Sequence, residues 1–192
     1  IMQQAVMFFC ANDYDRASLN DIAKALAITK GGIYHYFESK DELFHESVLY
    51  LLERLYSQME YSLSEGSSLK ELLEPIFMLE DTLKTYTLAS GLDLLSDYKN
   101  LIYLLISTLK KFPDTQNIVE NFYINFIDEM ERLFRDAIKR GEIRSDLDPE
   151  GLAFEVASFI EGGMLISTLC GRIDGNAKGS LVFDNFWKRI KK

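Results

Sequence analysis

The chain has 192 residues, 47% of them hydrophobic and 27% charged, with a formal charge of -9. That balance belongs to ordinary globular proteins and excludes disordered, collagen-like and fibrous classes. The longest unbroken aliphatic and aromatic stretch, Leu101–Ile106, falls far short of the roughly 20 apolar residues a bilayer span needs, so no membrane partner is expected. An acidic chain does not coat polyanions indiscriminately, and any nucleic-acid role must come from a local patch.

Cys10 and Cys170 stand far apart without C-x-x-C or histidine neighbours, so neither a disulfide framework nor a zinc site is indicated and a cytoplasmic location is expected. The first residue is Ile1 rather than methionine, which leaves room for an N-terminal arm ahead of it. Apolar residues recur at spacings of three and four, with little alternation of period two, and only Pro75, Pro113 and Pro149 interrupt them. This pattern predicts an all-α fold.

In chain order, a first helix places Ile1, Ala5, Phe8 and Phe9 on one face and stops at Asn12-Asp13. Ser18 caps a second, with Asp21 near its start and Leu19, Ile22, Ala23 and Leu26 pointing inward. After a turn of about three residues, Thr29 caps a very short third helix. Ser39 and Glu42 form a capping box before a long helix reaching about Ser62, striped by Phe44, Val48, Leu51, Leu55 and Met59. Ser68 and Glu71 open the next segment, which Pro75 is expected to kink or to restart.

A helix from beyond Leu92 to Lys111 should end before Pro113. The segment 114–140 carries Ile118, Phe122, Phe126, Met130, Leu133 and Ala137, and Val119, Tyr123, Ile127, Phe134 and Ile138 widen that stripe beyond what one neighbour covers. Gly141 stops it, and Asp148-Pro149 begins a helix to about Cys170 through Leu152, Val156, Phe159, Ile160, Gly163 and Met164. Gly171 and Gly175 bound a turn before a last helix with Phe183, Phe186 and Trp187.

Residues 1–40 form three short helical units around tight turns, and helix, short turn, helix is the arrangement that reads a major groove. From Arg16 to Lys40 four basic residues face two acidic ones, a local charge of +2 on a chain of -9. Gly31 and Gly32 in the first turn of the third helix cost roughly 1 kcal/mol each relative to alanine. A bare backbone there lets a phosphate or base edge approach closely.

The run from Ser18 to Phe44, with Lys-Gly-Gly-Ile-Tyr-His-Tyr-Phe at its centre and Ser39-Lys40 behind it, resembles the DNA-binding domain of the tetracycline-repressor (TetR) family of transcriptional regulators. The motif spans about 45 residues, and the Gly-Glu-Ile-Arg-Ser-Asp-Leu-Asp-Pro connection at 141–149 extends a looser similarity. The resemblance implies a helix-turn-helix DNA-binding domain at 1–45, joined by a long helix to a ligand-binding and dimerisation domain at 46–192. It implies DNA contacts from Ser18, Asn20, Thr29, Lys30, Gly31, Gly32, Tyr34, His35, Tyr36 and Lys40. Phe37 reads as core, Tyr34 as surface, and Tyr36 stands open between the two.

Two positions depart from the family pattern: Ala27 where glycine is common in the turn, and Asp13-Tyr14 in place of Gly-Tyr. A positive φ at Ala27 would cost on the order of 1 kcal/mol.

The family's usual dimer is a four-helix interface, and the two broad apolar helices near 114–140 and 150–170 suit it, through Phe122, Phe134, Phe159, Gly162 and Gly163. Phe77, Met78, Tyr86, Tyr103, Phe126 and Met164 are the candidate lining for a small, mainly apolar effector. Each of them taken singly reads more naturally as core filling. Acidic pairs such as Glu80-Asp81 and Asp128-Glu129 read as solvated faces, whereas Glu161 stands apart in an apolar helix beside Gly162-Gly163.

His35 and His45 are not spaced as metal ligands, no cofactor is implied, and no nucleophile accompanies the carboxylates, so an enzyme is not expected. The function implied is a homodimeric regulator, in most cases a repressor, released from a pseudo-palindromic DNA operator by its effector. The alternative is a helical protein-interaction module whose helix-turn-helix is purely structural.

Overall fold

Caps and stops set most helix boundaries in the computed structural model, which describes residues 1–12, 14–64, 68–91, 94–109 and 112–192. Among these the chain forms ten helices and no strand: α1 (Met2–Ala11), α2 (Leu19–Ala25), α3 (Lys30–Tyr36), α4 (Lys40–Ser64), α5 (Leu69–Phe77), α6 (Leu79–Ser90), α7 (Leu94–Leu109), α8 (Pro113–Arg140), α9 (Pro149–Leu169) and α10 (Gly175–Ile190). Asp13, Leu92, Lys110 and Lys111, which figured in the expected stops and starts, lie outside the described residues.

The segment opening at Ser68 does not run on as one helix. Its capping box with Glu71 forms as expected, and Pro75 lies inside α5, but the chain breaks at Met78 and restarts as α6. The Met78 amide closes a tight turn onto the Pro75 carbonyl at 3.0 Å, and the Thr82 hydroxyl also donates to the Pro75 and Ile76 carbonyls. The interruption is therefore stable because the carbonyls freed at the break find donors. At Ser39, the hydroxyl accepts from the Glu42 amide at 3.0 Å, while the Glu42 carboxylate reaches past Ser39 to the Glu38 amide.

The first three helices fold onto the start of α4. Ala5, Val6 and Phe9 of α1, Leu19 and Ile22 of α2, Ile33 of α3 and Leu43 and Phe44 of α4 are buried, and this cluster continues without a gap into the core of the helical C-terminal part. α8 and α9 pair through the turn 141–148, where Gly141 adopts φ 71°. The Arg144 amide bonds to the Ile190 carbonyl at 2.9 Å, tying the end of α10 to that turn.

By length and mean hydropathy (1.4), α9 meets the composition of a membrane span, a weaker criterion than the unbroken run considered above. Its inner face, with Leu152, Ala153, Val156, Ala157, Ile160 and Met164, is buried against the other helices. Its apolar residues are thus partly used as core, and Glu161 sits on the same helix.

Candidate nucleic-acid interface

Helices α2 and α3 are short, and both are held by side-chain caps. The Ser18 hydroxyl accepts from the Asp21 amide at 3.2 Å and donates to the Asp21 carboxylate, which holds that carboxyl below its ordinary range. The Thr29 hydroxyl accepts from the Gly32 amide at 3.0 Å. Between the helices the Ile28 amide bonds to the Ala23 carbonyl at 3.0 Å, closing a left-handed stop in which Ala27 has φ 54°. The turn therefore keeps the conformation that glycine would favour, and alanine bears the strain.

Only one residue of α3, Ile33, is buried, and Phe37 just beyond it is the second anchor. Apart from half-buried Gly32, the rest of the helix faces outward: Lys30, Gly31, His35, Tyr34 at 47% exposure and Tyr36 at 64%. Tyr36, open in the sequence, is therefore surface and Phe37 is core. Two anchors at a spacing of four place α3 on the domain as a rib with its outer face free.

A Cβ at Gly31 would meet nothing within 4 Å, so this glycine leaves backbone bare toward the outside and fills no internal need. The Lys30 ammonium lies 5.7 Å from the Tyr34 ring centroid, and the His35 and Tyr36 rings meet edge to face. Asn20 and Lys24 of α2 are exposed as well. The surface thus presents an ammonium, phenol hydroxyls, an imidazole and free backbone, the groups that bond phosphates and base edges.

Lys40 departs from its expected role. Its ammonium turns inward, donates to the carbonyls of Tyr14 at 2.7 Å and Ala17 at 2.8 Å, and sits 4.3 Å from the Tyr14 ring centroid. Those carbonyls end the α1–α2 connection, and the lysine satisfies them instead of reaching for a phosphate. Tyr14 in turn donates to Asp41 and packs against Phe9, Phe44 and Phe112. Phe112 precedes α8, so this aromatic cluster joins the small N-terminal unit to the larger helical part. His45 Nδ1 lies 3.3 Å from the hydroxyl of fully buried Thr115, and Gln3 donates to the Gly91 carbonyl at 2.8 Å.

The residues expected to line an effector site divide. Phe77 is core, stacked on Phe159 and packed on Phe183 and Phe186, with Met78 at the helix break beside it. Tyr103 stands on the outside at 73% exposure, because it falls on the face of α7 away from buried Leu101, Leu104 and Leu105. Tyr86, Phe126 and Met164 lie on α6, α8 and α9, helices that share a packing region. There the Tyr98 hydroxyl donates to Glu161 at 2.5 Å and Tyr123 directs its hydroxyl to the same carboxylate. Tyr98 had no signal in the sequence beyond its helix, whereas Glu161 was marked by its apolar surroundings.

The expected dimer residues also divide. Phe134 is fully buried within the chain and offers no free face, while Phe159 stacks on Phe77 and stays partly exposed. Gly163 serves an internal approach, since a Cβ there would come within 2.5 Å of Leu79. Phe122 is half-buried against Tyr123, and Gly162 alone opens onto unoccupied space.

The family model of tetR-family bacterial regulatory proteins matches residues 1–47, and that of the tetracyclin repressor-like C-terminal domain matches 113–177. The HTH-type transcriptional regulator UidR of Escherichia coli (strain K12) is 24% identical over 148 residues, 77% of this chain and 69% of that protein. IcaR of Staphylococcus aureus (strain Newman), a negative transcriptional regulator of the biofilm operon icaADBC, is 38% identical over 48 residues, 25% of this chain and 26% of that protein.

Among solved structures, a transcriptional regulator from Saccharomonospora viridis in complex with choline superposes with a TM-score of 0.79 at 18% identity, covering 100% of this chain and 95% of that one. A TetR-family regulator from Cytophaga hutchinsonii gives 0.78 at 19% identity, covering 99% and 92%. At these identities the structures speak for the fold.

Proposed function

The chain belongs to the TetR family of bacterial regulatory proteins and is a DNA-binding transcription factor, not an enzyme; from that premise we propose that it is a homodimeric, ligand-responsive repressor acting in the cytoplasm. The observation that carries this reading is α3, a capped helix held by Ile33 and Phe37 with its whole outer face free. Lys30, Gly31, Gly32, Tyr34, His35 and Tyr36 meet the groove, while Asn20 and the capped starts at Ser18 and Thr29 meet the backbone. Residues 1–45 read DNA, and 46–192 sense and dimerise.

Dimerisation is supported by the outward face of α9. Phe154, Gly162, Leu165, Ile166 and Leu169 follow one helical stripe and remain exposed, and Ile124 adds an exposed apolar side chain on α8. Apolar stripes of this kind are normally covered. A two-fold pair then reads an inverted repeat whose half-sites lie about one helical turn, roughly 34 Å, apart or a multiple of it.

The effector is a small, mainly apolar molecule held among α6, α7, α8 and α9. Choline in the Saccharomonospora viridis neighbour supports a small-molecule response of this fold, and IcaR's negative regulation supports repression. α6 packs on α4, and α7 packs on α1. A ligand that favours one packing of these helices would shift the recognition helices out of register with successive grooves.

Selection of duplexes from a random pool, followed by anisotropy titration at fixed salt, tests the reading. One inverted-repeat motif should emerge, and Tyr36→Ala should weaken it roughly tenfold with an unchanged melting temperature. Equal binding to every duplex, or to none, would defeat it.

A further inference from the structure

The helical part holds one carboxylate whose setting the regulator reading does not explain. Glu161 lies mid-way along α9 between buried Ile160 and Met164, and it is only partly exposed. Among the described residues no lysine, arginine or histidine pairs with it; its partners are the Tyr98 hydroxyl at 2.5 Å and that of Tyr123. A third phenol, Tyr86 of α6, lies close enough to feel its charge.

Phenols hydrogen-bond a carboxylate but do not neutralise it, and a charge withdrawn from water without a counter-charge is costly. The three tyrosines come from three different helices, so the fold gathers them around this one group. Tyr98 is buried, while Tyr86, Tyr123 and Glu161 all keep accessible surface, so the group is not sealed.

We infer that Glu161, with Tyr86, Tyr98 and Tyr123, forms the binding site for the positively charged head of an organic cation, an alkylated ammonium with an apolar body. One carboxylate among neutral phenols is a poor donor set for a metal ion, which favours several charged or imidazole ligands. It suits a large, weakly hydrated cation, which gains from a single anion and from aromatic rings around it. Phe126, one turn from Tyr123, and Met164, one turn from Glu161, are buried apolar neighbours for the body of such a molecule. The tyrosine hydroxyls are held protonated: burial first, then the Glu161 charge, raises Tyr98 and Tyr123 well above the ordinary phenol range and Tyr86 up to about 12. Tyr98 and Tyr123 remain donors to the carboxylate at neutral pH.

The inference rests on the regulator reading for its purpose, because a ligand here would touch α6 and α7, which pack on α4 and α1, as well as the α8–α9 pair. The test uses the purified chain and calorimetric titration with benzyltrimethylammonium, its uncharged carbon isostere neopentylbenzene, and phenylacetate. The cation should bind at least roughly tenfold more tightly than the isostere, and phenylacetate more weakly than either. Glu161→Gln should abolish the preference for the cation while leaving affinity for the isostere unchanged, and Tyr98→Phe should reduce it several-fold.

Equal affinities for cation and isostere in the unsubstituted protein, or no cation binding at millimolar concentration, would overturn the assignment even if the Gln variant fails to fold. A folded Gln variant that keeps the cation preference would overturn it too. DNA binding by the unliganded protein is measured alongside. Retained DNA binding with no cation preference sinks this inference alone, and cation binding without DNA binding sinks the regulator reading instead.

Discussion

The Lys40 ammonium is bonded to the Tyr14 carbonyl at 2.7 Å and lies over the ring of the same residue, 4.3 Å from its centroid. A lysine in the first turn of a helix opposes the helix dipole, and Asp41 and Glu42 beside it offset that. Its position is explained by the loop it clasps. Two charge-assisted bonds and a cation–π contact predict that Lys40→Met lowers stability by about 2 kcal/mol. Urea unfolding checks this. Lys30→Ala, whose ammonium is on the open face, should leave the urea midpoint unchanged and flatten the salt dependence of DNA binding by about one phosphate contact.

Ala27 bears a left-handed backbone, with φ 54°, in the turn between α2 and α3. Ala27→Gly relieves that strain but loosens the unfolded chain, so the net gain should be no more than about 1 kcal/mol. A higher melting temperature with unchanged DNA affinity is expected. A loss of stability would mean that the turn does not hold this conformation in solution.

Local signals were legible in the sequence. The caps at Ser18, Thr29 and Ser68, the stop at Gly141 and the anchor Phe37 were readable because each depends on residues within a few positions of itself. Long-range choices were not. Lys40 was expected to face DNA, since nothing nearby in the chain announces that its partners are carbonyls 26 and 23 residues away.

The same limit applied to Phe134. Along α8, apolar on more than one flank, period alone cannot say which flank meets its own chain, and Phe134, expected at a dimer seam, is buried within the subunit. Tyr98 and Glu161, 63 residues apart, meet only because α7 packs on α9.

Tyr14, Tyr56, Tyr86, Tyr98 and Tyr123 have hydroxyls raised in pKa, each by burial first and then by a neighbouring carboxylate. A group with a raised folded pKa holds its proton more tightly when folded, so the stability it contributes is intact below the unfolded value and is lost as pH rises beyond it. The unfolded phenol titrates near about 10. The urea midpoint should therefore be flat with respect to these groups below that pH and fall above it. Tyr98→Phe should make the fall shallower. Absorbance at the tyrosinate band, followed through the same range, should show these hydroxyls ionising only as the protein unfolds.

Phe134 on α8 and Phe154 on α9 give the sharpest test of assembly. Phe134 is enclosed by its own chain and meets Phe186 edge to face, so Phe134→Ala should leave a cavity and cost about 3–5 kcal/mol. That loss is a property of the folded subunit and should appear equally at low and high protein concentration. Phe154 is 63% exposed on the α9 stripe with Ile166, which is 52% exposed. Phe154→Glu and Ile166→Glu should leave the helical content of the subunit unchanged.

If that stripe joins two copies, both substitutions bury a charge at the seam and should shift the sedimenting species from dimer to monomer. DNA affinity should then fall steeply, because one recognition helix reads only half of the inverted repeat. A Phe154→Glu protein that still sediments as a dimer would place the seam elsewhere, and the exposed Ile124 on α8 would be the next position to substitute.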